Sequence, residues 1–331
     1  MSKLMRKTIA IIMLAIITTS FVACAEKKDA SENNASVKDE EGSKSDVNPN
    51  KVKVVSKQTE TYNGNKNVTE YKYNKYGEVT EEKILMEQYN SERVVTYVYD
   101  ELGNKIEISN TTKDLNGLNP DYTYVRTFEY DDNNLVKCEE DGSLLEEYTY
   151  NDDGTLKSKI EVRGGTIFEQ KYEYDENGNL VKMEERMESV EEPTLVEEYS
   201  YNSDGTLLCI TGVVGNIGPY KKEYDKNGNC LKYEIYDENK KEVISLEEYN
   251  YNENGDMTRR QYYTKGWGLS KDELGIVEDT LYEYNGDELY KMIDTHYELS
   301  CDDNKEVIDV YTADTEYVYE YEYMEIEVEE R

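Results

Sequence analysis

The sequence predicts an all-β fold, in which a long antiparallel meander of repeated hairpins twists or curls into a superhelical or shell-like sheet. The pattern Tyr-x-Tyr-(Asn/Asp)-x-x-Gly-x-(Leu/Val) occurs nine times, as in Tyr172–Leu180, at a pitch of about 26 residues. Tyrosines within each copy alternate with polar residues, which is the period of a strand with one buried face. After residue 52 every proline (Pro120, Pro193 and Pro219) lies between copies, where a missing N–H breaks no ladder.

Residues 1–23 have the composition of a secretory signal peptide, with three basic residues among the first seven followed by an apolar stretch too short for a comfortable bilayer span. They end in Phe21-Val22-Ala23-Cys24, which resembles the lipobox of bacterial lipoproteins. The resemblance implies cleavage before Cys24 and fatty acylation of that residue, detectable as palmitate, so we expect a lipid anchor on the extracytoplasmic face of the cell membrane. The alternative is an ordinary signal peptide cut nearby, in which Cys24 has no role.

Residues 24–52 are expected to form a lipid-anchored disordered linker, because they are mostly Lys, Asp, Glu, Ser and Asn with almost nothing to bury. As a flexible coil this linker has ends on the order of 30 Å apart. The remaining residues, 53–331, are expected to form the repeat domain, ending in a capping strand.

The chain is strongly acidic, with a formal net charge of −35. Loss of residues 1–23 removes Lys3, Arg6 and Lys7 and no acidic residue, which leaves −38. A nucleic-acid partner is excluded by this balance, because phosphate binding needs a basic footprint. Electrostatic adhesion to anionic lipid is excluded for the same reason.

One spacing within the repeat encodes strand, turn and register together. Asp175 is suited to begin a type I turn, and Gly178 falls where a left-handed backbone is needed. Such a three-residue loop with a bulge places the second tyrosine of a copy opposite its Leu or Val, on one face of the sheet. The predicted cross-strand pairs are Tyr73 with Val79, Tyr150 with Leu156, Tyr174 with Leu180 and Tyr201 with Leu207.

Three copies depart from the pattern. Residues 131–134 lack the glycine and one residue, which predicts a tighter loop. Asn285-Gly286 is typical of a two-residue turn of the primed type. In the copy that begins at Tyr97, Lys105 stands where Leu is expected, which leaves its register open.

The chain must turn back between copies, and these returns differ from one another in length and composition. The count of copies and returns predicts a meander of roughly 18 to 20 strands, about 90 Å wide if it were flat. In the last strand the apolar residues move from odd to even positions near Met324, which predicts a bulge or an end of pairing there. We expect the glutamates of this strand to discourage growth from an open sheet edge.

The Tyr-x-Tyr-Asp-x-x-Gly-x-Leu unit resembles the YD repeat of RHS proteins over roughly residues 70–290, at the Tyr, Asn/Asp and Gly positions. In that family the repeats coil into a β-sheet shell, often around a toxin. The resemblance therefore implies a shell-like sheet for this chain.

No metal or cofactor site is predicted. Four cysteines follow Cys24 without a CxxC pair, and we interpret them as free buried thiols, with disulfides as the alternative: Cys138, Cys209, Cys230 and Cys301. Acidic turns such as Asp175–Asn179 offer oxygens at close spacing, as calcium loops do, but they lack the twelfth-position glutamate. Turn formation accounts for these residues without calcium.

An enzyme is not expected either, because His296 is the only histidine and no pair of carboxylates stands out among so many. Trp267, the only tryptophan, lies in a glycine-flanked return, where it is a candidate binding anchor or folds back on the sheet.

We therefore predict a lipid-anchored, extracytoplasmic repeat protein that serves as a binding or scaffold surface for a glycan or a protein. The alternatives are a purely structural cell-envelope factor and a calcium-binding surface protein; oligomeric state is left open.

Overall fold

A computed structural model describes residues 51–214, 218–239, 241–265, 274–301 and 307–331, and the side chains of these residues outside 299–310. Twenty β-strands and one 3₁₀ helix, Glu87–Tyr89, make up its regular structure, which confirms the all-β prediction. Among the described residues no helix has the length and hydropathy needed to cross a membrane. The strands are β1 Lys51–Tyr62, β2 Asn65–Tyr73, β3 Val79–Met86, β4 Ser91–Tyr99, β5 Lys105–Asp114, β6 Tyr122–Asp131, β7 Asn134–Glu140, β8 Ser143–Tyr150, β9 Leu156–Arg163, β10 Thr166–Tyr174, β11 Leu180–Met187, β12 Leu195–Tyr201, β13 Leu207–Val214, β14 Gly218–Tyr224, β15 Cys230–Tyr236, β16 Val243–Tyr251, β17 Met257–Lys265, β18 Leu274–Asn285, β19 Glu288–Cys301 and β20 Val307–Glu327.

The sheet closes on itself. Each strand pairs antiparallel with the next, and β1 also pairs with β20, from Lys51 opposite Glu327 to Tyr62 opposite Tyr317. The expectation of a superhelical ribbon is therefore wrong, whereas the shell-like sheet is confirmed as a closed barrel. Closure has a physical advantage over a superhelix, because it gives the backbone groups of both end strands partners within the molecule.

The two ends of the closed sheet differ. One end, the regular rim, carries the uniform Asp/Asn-x-x-Gly turns, and the chain enters the sheet there at Lys51. The other end, the irregular rim, carries the unlike returns, including the 3₁₀ helix and the segment 115–121. The C-terminus also lies at the regular rim, where Glu329 N donates to Lys75 O.

The turn geometry predicted from the repeat is confirmed. Asp175 N donates to Asn179 O at 2.9 Å, Gly178 N donates to Asp175 O at 3.1 Å, and Gly178 has a φ of +83°. The register then shifts by one residue, so that Tyr174 pairs with Leu180. The same shift produces the other predicted pairs, Tyr73 with Val79, Tyr150 with Leu156 and Tyr201 with Leu207.

Details of the unusual copies partly differ from prediction. The tight loop after Asp131 is confirmed, with positive φ at both central residues, and Tyr99 pairs with Lys105 in the ordinary register. The primed turn was misplaced by one residue, because Asn285 pairs with Glu288 and Gly286 therefore occupies the first central position. Pro219 lies inside β14 rather than in a return, at the second residue of the strand, where a proline is still tolerated.

The tyrosines share the inner face of the sheet. Residues on this face are more buried than their neighbours, as in the alternation along β2. Side chains from strands two apart meet there: Tyr220 of β14 donates its hydroxyl to Glu197 of β12, across the missing side chain of Gly212. Side chains from non-adjacent strands come into contact in this way because the inner face is concave.

In most copies the second tyrosine joins its hairpin to the preceding strand. Its hydroxyl donates to the backbone carbonyl of that strand, as Tyr174 does to Leu156 O at 2.9 Å. The interaction recurs around the sheet at Tyr73, Tyr99, Tyr130, Tyr150, Tyr201, Tyr251, Tyr284 and Tyr321. Few apolar side chains are buried, so these hydrogen bonds and the strand ladders carry much of the cohesion: the buried apolar residues among those described are Val95, Cys138, Met183, Ile210 and Tyr220.

The last strand is not a free edge, because β20 has β19 on one side and β1 on the other. Its glutamates therefore protect no open edge, contrary to expectation. The predicted irregularity near Met324 is present, although the bulge lies in β1, between Val55 and Lys57. Beyond the bulge the apolar side chains of the C-terminal segment lie near the regular rim. Val328 is close to the turn there, since a Cβ added to Gly77 would lie 3.2 Å from Val328 Cγ1.

At the irregular rim β19 and β20 extend beyond their other neighbours as a two-stranded arm. Pairing of β18 with β19 begins at Glu278 and His296, and pairing of β1 with β20 ends at Tyr62 and Tyr317, whereas β19 and β20 remain paired up to Cys301 and Val307. At the base of the arm the rings of Tyr62 and Tyr317 stack, with centroids 4.7 Å apart.

Candidate ligand-binding groove

Two neighbouring rows of residues cross the inner face just below the irregular rim, one over five strands and the other over six. The first row runs through Glu60, Asn67, Met86, Ser91 and Asp114, in strands β1 to β5. The second row runs parallel to it, in strands β1 to β6, through Gln58, Thr69, Ile84, Arg93, Thr112 and Tyr122. We call the concavity along these rows the rim groove.

Two cavities occupy the rim groove. The inner cavity, of about 200 Å³, lies over β1 to β4 and is lined by Gln58, Glu60, Asn67, Thr69, Ile84, Met86 and Arg93. The outer cavity, of about 370 Å³, lies over β4, β5 and the returns, and is lined by Tyr89, Ser91, Thr112, Lys113, Asp114, Asn116, Leu118, Asn119, Pro120 and Tyr122. They adjoin at β4, because Arg93 of the inner cavity is the register partner of Thr112 in the outer one.

A single carboxylate shapes the return that borders the outer cavity. Asp114 Oδ1 accepts from Asn116 N at 2.9 Å, and its Oδ2 accepts from the backbone and side-chain nitrogens of Asn119 at 3.0 and 2.8 Å. These donors, first among them the Asn116 amide, lower the pKa of Asp114 below its ordinary value. Leu115 N donates to Asn90 O at 2.9 Å, which ties this return to the 3₁₀ helix beside it.

Large side chains around the outer cavity are left exposed. Leu118 is 82% exposed, Tyr89 67% and Tyr122 61%, and these are among the highest values for apolar residues in the described ranges. The Tyr122 ring is held against Tyr124, with centroids 6.1 Å apart. Side-chain amides stand next to these groups, where Asn90 Nδ2 donates to Asn116 Oδ1 at 2.6 Å. The cavity thus combines aromatic faces with polar groups that both donate and accept hydrogen bonds.

The inner cavity has a polar wall and an apolar wall. Glu60 accepts from Asn67 Nδ2 at 2.8 Å and from the Tyr319 hydroxyl at 3.3 Å. Ile84 and Met86 form the apolar side. Arg93 faces this cavity and is exposed.

Sequence reasoning missed the polar partners of the first tyrosine in each copy. Tyr148 donates its hydroxyl to Glu146, and Tyr249 donates to Glu247 at 2.6 Å, in each case to the carboxylate two residues earlier. Tyr199 and Glu197 form the same pair. Burial and these carboxylates raise the pKa of all three tyrosines. The signal was present as Glu-Glu-Tyr in three copies.

Cys24 and Trp267 lie outside the described residues. His296 is half exposed at the base of the arm, with Nε2 2.9 Å from Asp294 Oδ2, and neither lines the groove. Within the described ranges no group of three or more potential ligands for a metal ion occurs.

The described thiols are free, but of the three predicted to be buried only Cys138 is, and the other two are partly exposed: Cys209 and Cys230. Cys138 is buried, and desolvation raises the pKa of its thiol to about 11. The side chain of Cys301 lies outside the described part of the chain. The Cys138 thiol is therefore a poor nucleophile at neutral pH.

No family model matches the chain, and no curated protein matches it. Among solved structures the chain is similar to the TcdB2-TccC3-TEV crystal structure, with 12% identity and a TM-score of 0.33 over 74% of this chain and 15% of that one. It is also similar to a porin-like protein from Bacteroides uniformis, with 12% identity and a TM-score of 0.39 over 81% of this chain and 98% of that one. A third is the Tc holotoxin pore of Photorhabdus luminescens, with 11% identity and a TM-score of 0.25 over 70% and 20%.

The chain thus spans about 15% of the length of the first of these structures. All three TM-scores are below 0.5, so these likenesses are too loose to support an argument about function. The similarity to RHS repeats remains an interpretation of the sequence.

Proposed function

We propose that this chain is a lipid-anchored extracytoplasmic binding protein whose rim groove holds a glycan. The observation that carries the proposal is the outer cavity, where exposed Tyr89 and Tyr122 stand beside the amides of Asn116 and Asn119. A volume of about 370 Å³ lies within the range of small-molecule sites.

The chemistry of the cavity favours a sugar over an apolar ligand. A sugar ring has an apolar face of C–H groups and an edge of hydroxyls, so it needs both a flat ring to lie against and groups that donate and accept hydrogen bonds. Tyrosine supplies the flat ring and also carries a polar hydroxyl. Side-chain amides supply the groups that donate and accept hydrogen bonds. Leu118, at 82% exposed, adds apolar contact at the mouth of the cavity.

The position of the groove is compatible with attachment to a membrane. The chain enters the sheet at the regular rim, and the groove lies below the irregular rim at the opposite end. A linker joined to Lys51 therefore does not cover the groove at its point of attachment. The anchor itself is proposed from the lipobox-like sequence ending in Cys24.

Binding is tested with the full chain in detergent on a glycan array. We expect saturable binding to a subset of glycans, and loss of at least tenfold in affinity for Tyr122→Ala and for Leu118→Ala, because each removes contact area in the cavity. Tyr311→Ala is the matched control, since Tyr311 is 56% exposed and does not line either cavity. Absence of any glycan binding, or equal losses in the control, would overturn the proposal and favour a protein partner or a purely structural envelope factor.

The anchor is tested separately. Cys24→Ala is expected to abolish palmitate labelling and to release the protein from the membrane fraction, because the thiol is the proposed acylation site. Continued labelling of this variant would refute the assignment of Cys24.

A further inference from the structure

We infer that the glycan bound by the rim groove carries a carboxylate, which Arg93 binds where the two cavities adjoin. This inference rests on the proposed function, and it adds the class of ligand and a residue that selects it.

The first observation is that Arg93 lacks an ion-pair partner among the described residues of an acidic protein. Of the seven arginines within the described ranges, six lie within 4.0 Å of a carboxylate: Arg126, Arg163, Arg186, Arg259, Arg260 and Arg331. Arg93 makes no such pair, although the chain has 73 acidic residues against 38 Lys and Arg. A guanidinium that folding leaves unpaired on an inner wall is available to a ligand.

The second observation is the position of Arg93. It lines the inner cavity, while its register partner Thr112 lines the outer one, so a ligand that passes from one cavity to the other must cross it. Tyr122 pairs with Thr112 in the next strand, which places the aromatic contact two strands from the guanidinium. At about 4.8 Å per strand this separation is roughly 10 Å, comparable to the length of two sugar rings.

The other charged groups of the groove already have partners. Lys113 Nζ lies 3.5 Å from Glu92 Oε1. Asp114 accepts the hydrogen bonds that shape its return, and Glu60 accepts from Asn67 and Tyr319. Among the cations that line the two cavities, Arg93 is therefore the one without a carboxylate within 4.0 Å in the described ranges, whereas Glu60 and Asp114 are held by neutral donors. A planar guanidinium fits a carboxylate through two parallel hydrogen bonds, a geometry that neutral sugars do not offer.

The test compares glycans that bear uronic or sialic acids with their methyl esters, which keep the size and remove the charge. The full wild-type chain is expected to bind the acids about 10- to 100-fold more tightly than the esters, as a charge-assisted pair predicts. Arg93→Gln is expected to lower affinity for the acids to that for the esters and to leave the esters unchanged. Arg93→Lys keeps the charge without the fork, so it should retain part of the preference.

Arg126→Gln is the matched control, because Arg126 is on the inner face, is paired with Glu140 and lines neither cavity. It should leave the preference unchanged. Equal wild-type affinity for acids and esters, or a preference that survives in Arg93→Gln, would overturn the inference while leaving glycan binding intact. Failure of every glycan to bind would instead overturn the proposed function, and this inference with it.

Discussion

At the scale of single residues, the turn aspartates show how the repeat is held. Asp175 Oδ1 accepts from the backbone nitrogens of Asn177 and Asn179, both at 2.9 Å, and Oδ2 accepts from Asn179 Nδ2 at 2.9 Å. These oxygens are therefore engaged by hydrogen bonds within the turn. In another copy Asn252 Oδ1 accepts the same two backbone hydrogen bonds, while its Nδ2 donates to Asp256 Oδ2.

The hydrogen bonds from Asn179 lower the pKa of Asp175. Desolvation opposes the shift at Asp100 and Asp225, but hydrogen bonds from Asn104 and Asn229 outweigh it and lower both pKa values. A lowered native pKa stabilises the fold above the unfolded pKa of about 3.9, and this contribution is lost as the pH falls through the native pKa.

We therefore predict that the melting temperature of the wild-type chain falls more steeply below about pH 4 than that of a triple variant with Asn at positions 100, 175 and 225. The asparagines keep the two backbone hydrogen bonds to Oδ1, as Asn252 shows, but do not titrate. Melting curves from pH 7 to pH 2.5 measure the difference. Parallel curves for the two proteins would contradict the role assigned to these carboxylates.

Two residue-scale features had no signal in the sequence. Gly212 is a strand residue rather than a turn residue, and a Cβ there would lie 2.5 Å from Tyr220 Cζ. Its role depends on the packing of a tyrosine on the neighbouring strand, which spacing along the chain does not reveal. Arg93 likewise stands out only once the ion pairs of the other arginines are known.

At the scale of elements, the repeat spacing predicted strand, turn and register correctly because all three are local properties. Tyr174 and Leu180 are brought opposite each other by one turn, within seven residues. The link from one hairpin to the preceding strand was not predicted, because the Tyr174 hydroxyl reaches a carbonyl 18 residues away.

Tyr174→Phe tests that link. Loss of the hydroxyl leaves Leu156 O without its donor and is expected to reduce the free energy of unfolding by about 0.5–1.5 kcal/mol. Denaturant titration measures this as a lower midpoint at an unchanged slope. Tyr311→Phe, at an exposed position, is the control and should have no effect. An equal effect in both variants would show that the inter-hairpin hydrogen bond contributes nothing.

The rim groove illustrates the limit of repeat-based reasoning. Its walls combine inner-face residues of six strands with two irregular returns, at 87–90 and 115–121. A repeated sequence pattern does not reveal segments that depart from it. Trp267, the aromatic residue that composition singled out, lies outside the described residues, whereas Tyr89 and Tyr122 were two among 33 tyrosines.

At the scale of the whole molecule, closure of the sheet was not predictable from the repeat. Each copy specifies its own turn and register, but whether 20 strands form an open superhelix or a closed shell depends on a small twist per strand summed over all of them. Closure also defines the inner face, and with it the groove. The seam between β1 and β20 is therefore the contact on which the account most depends.

An engineered disulfide across the seam tests it directly. Thr61 pairs with Val318 although the two are far apart in sequence, so Thr61→Cys with Val318→Cys places two thiols at cross-strand distance. Under mild oxidation we predict a peptide pair joining positions 61 and 318, identified by mass spectrometry, and no such pair when Thr61→Cys is combined with Val98→Cys on β4. A disulfide between 61 and 98, or none between 61 and 318, would contradict the closed sheet.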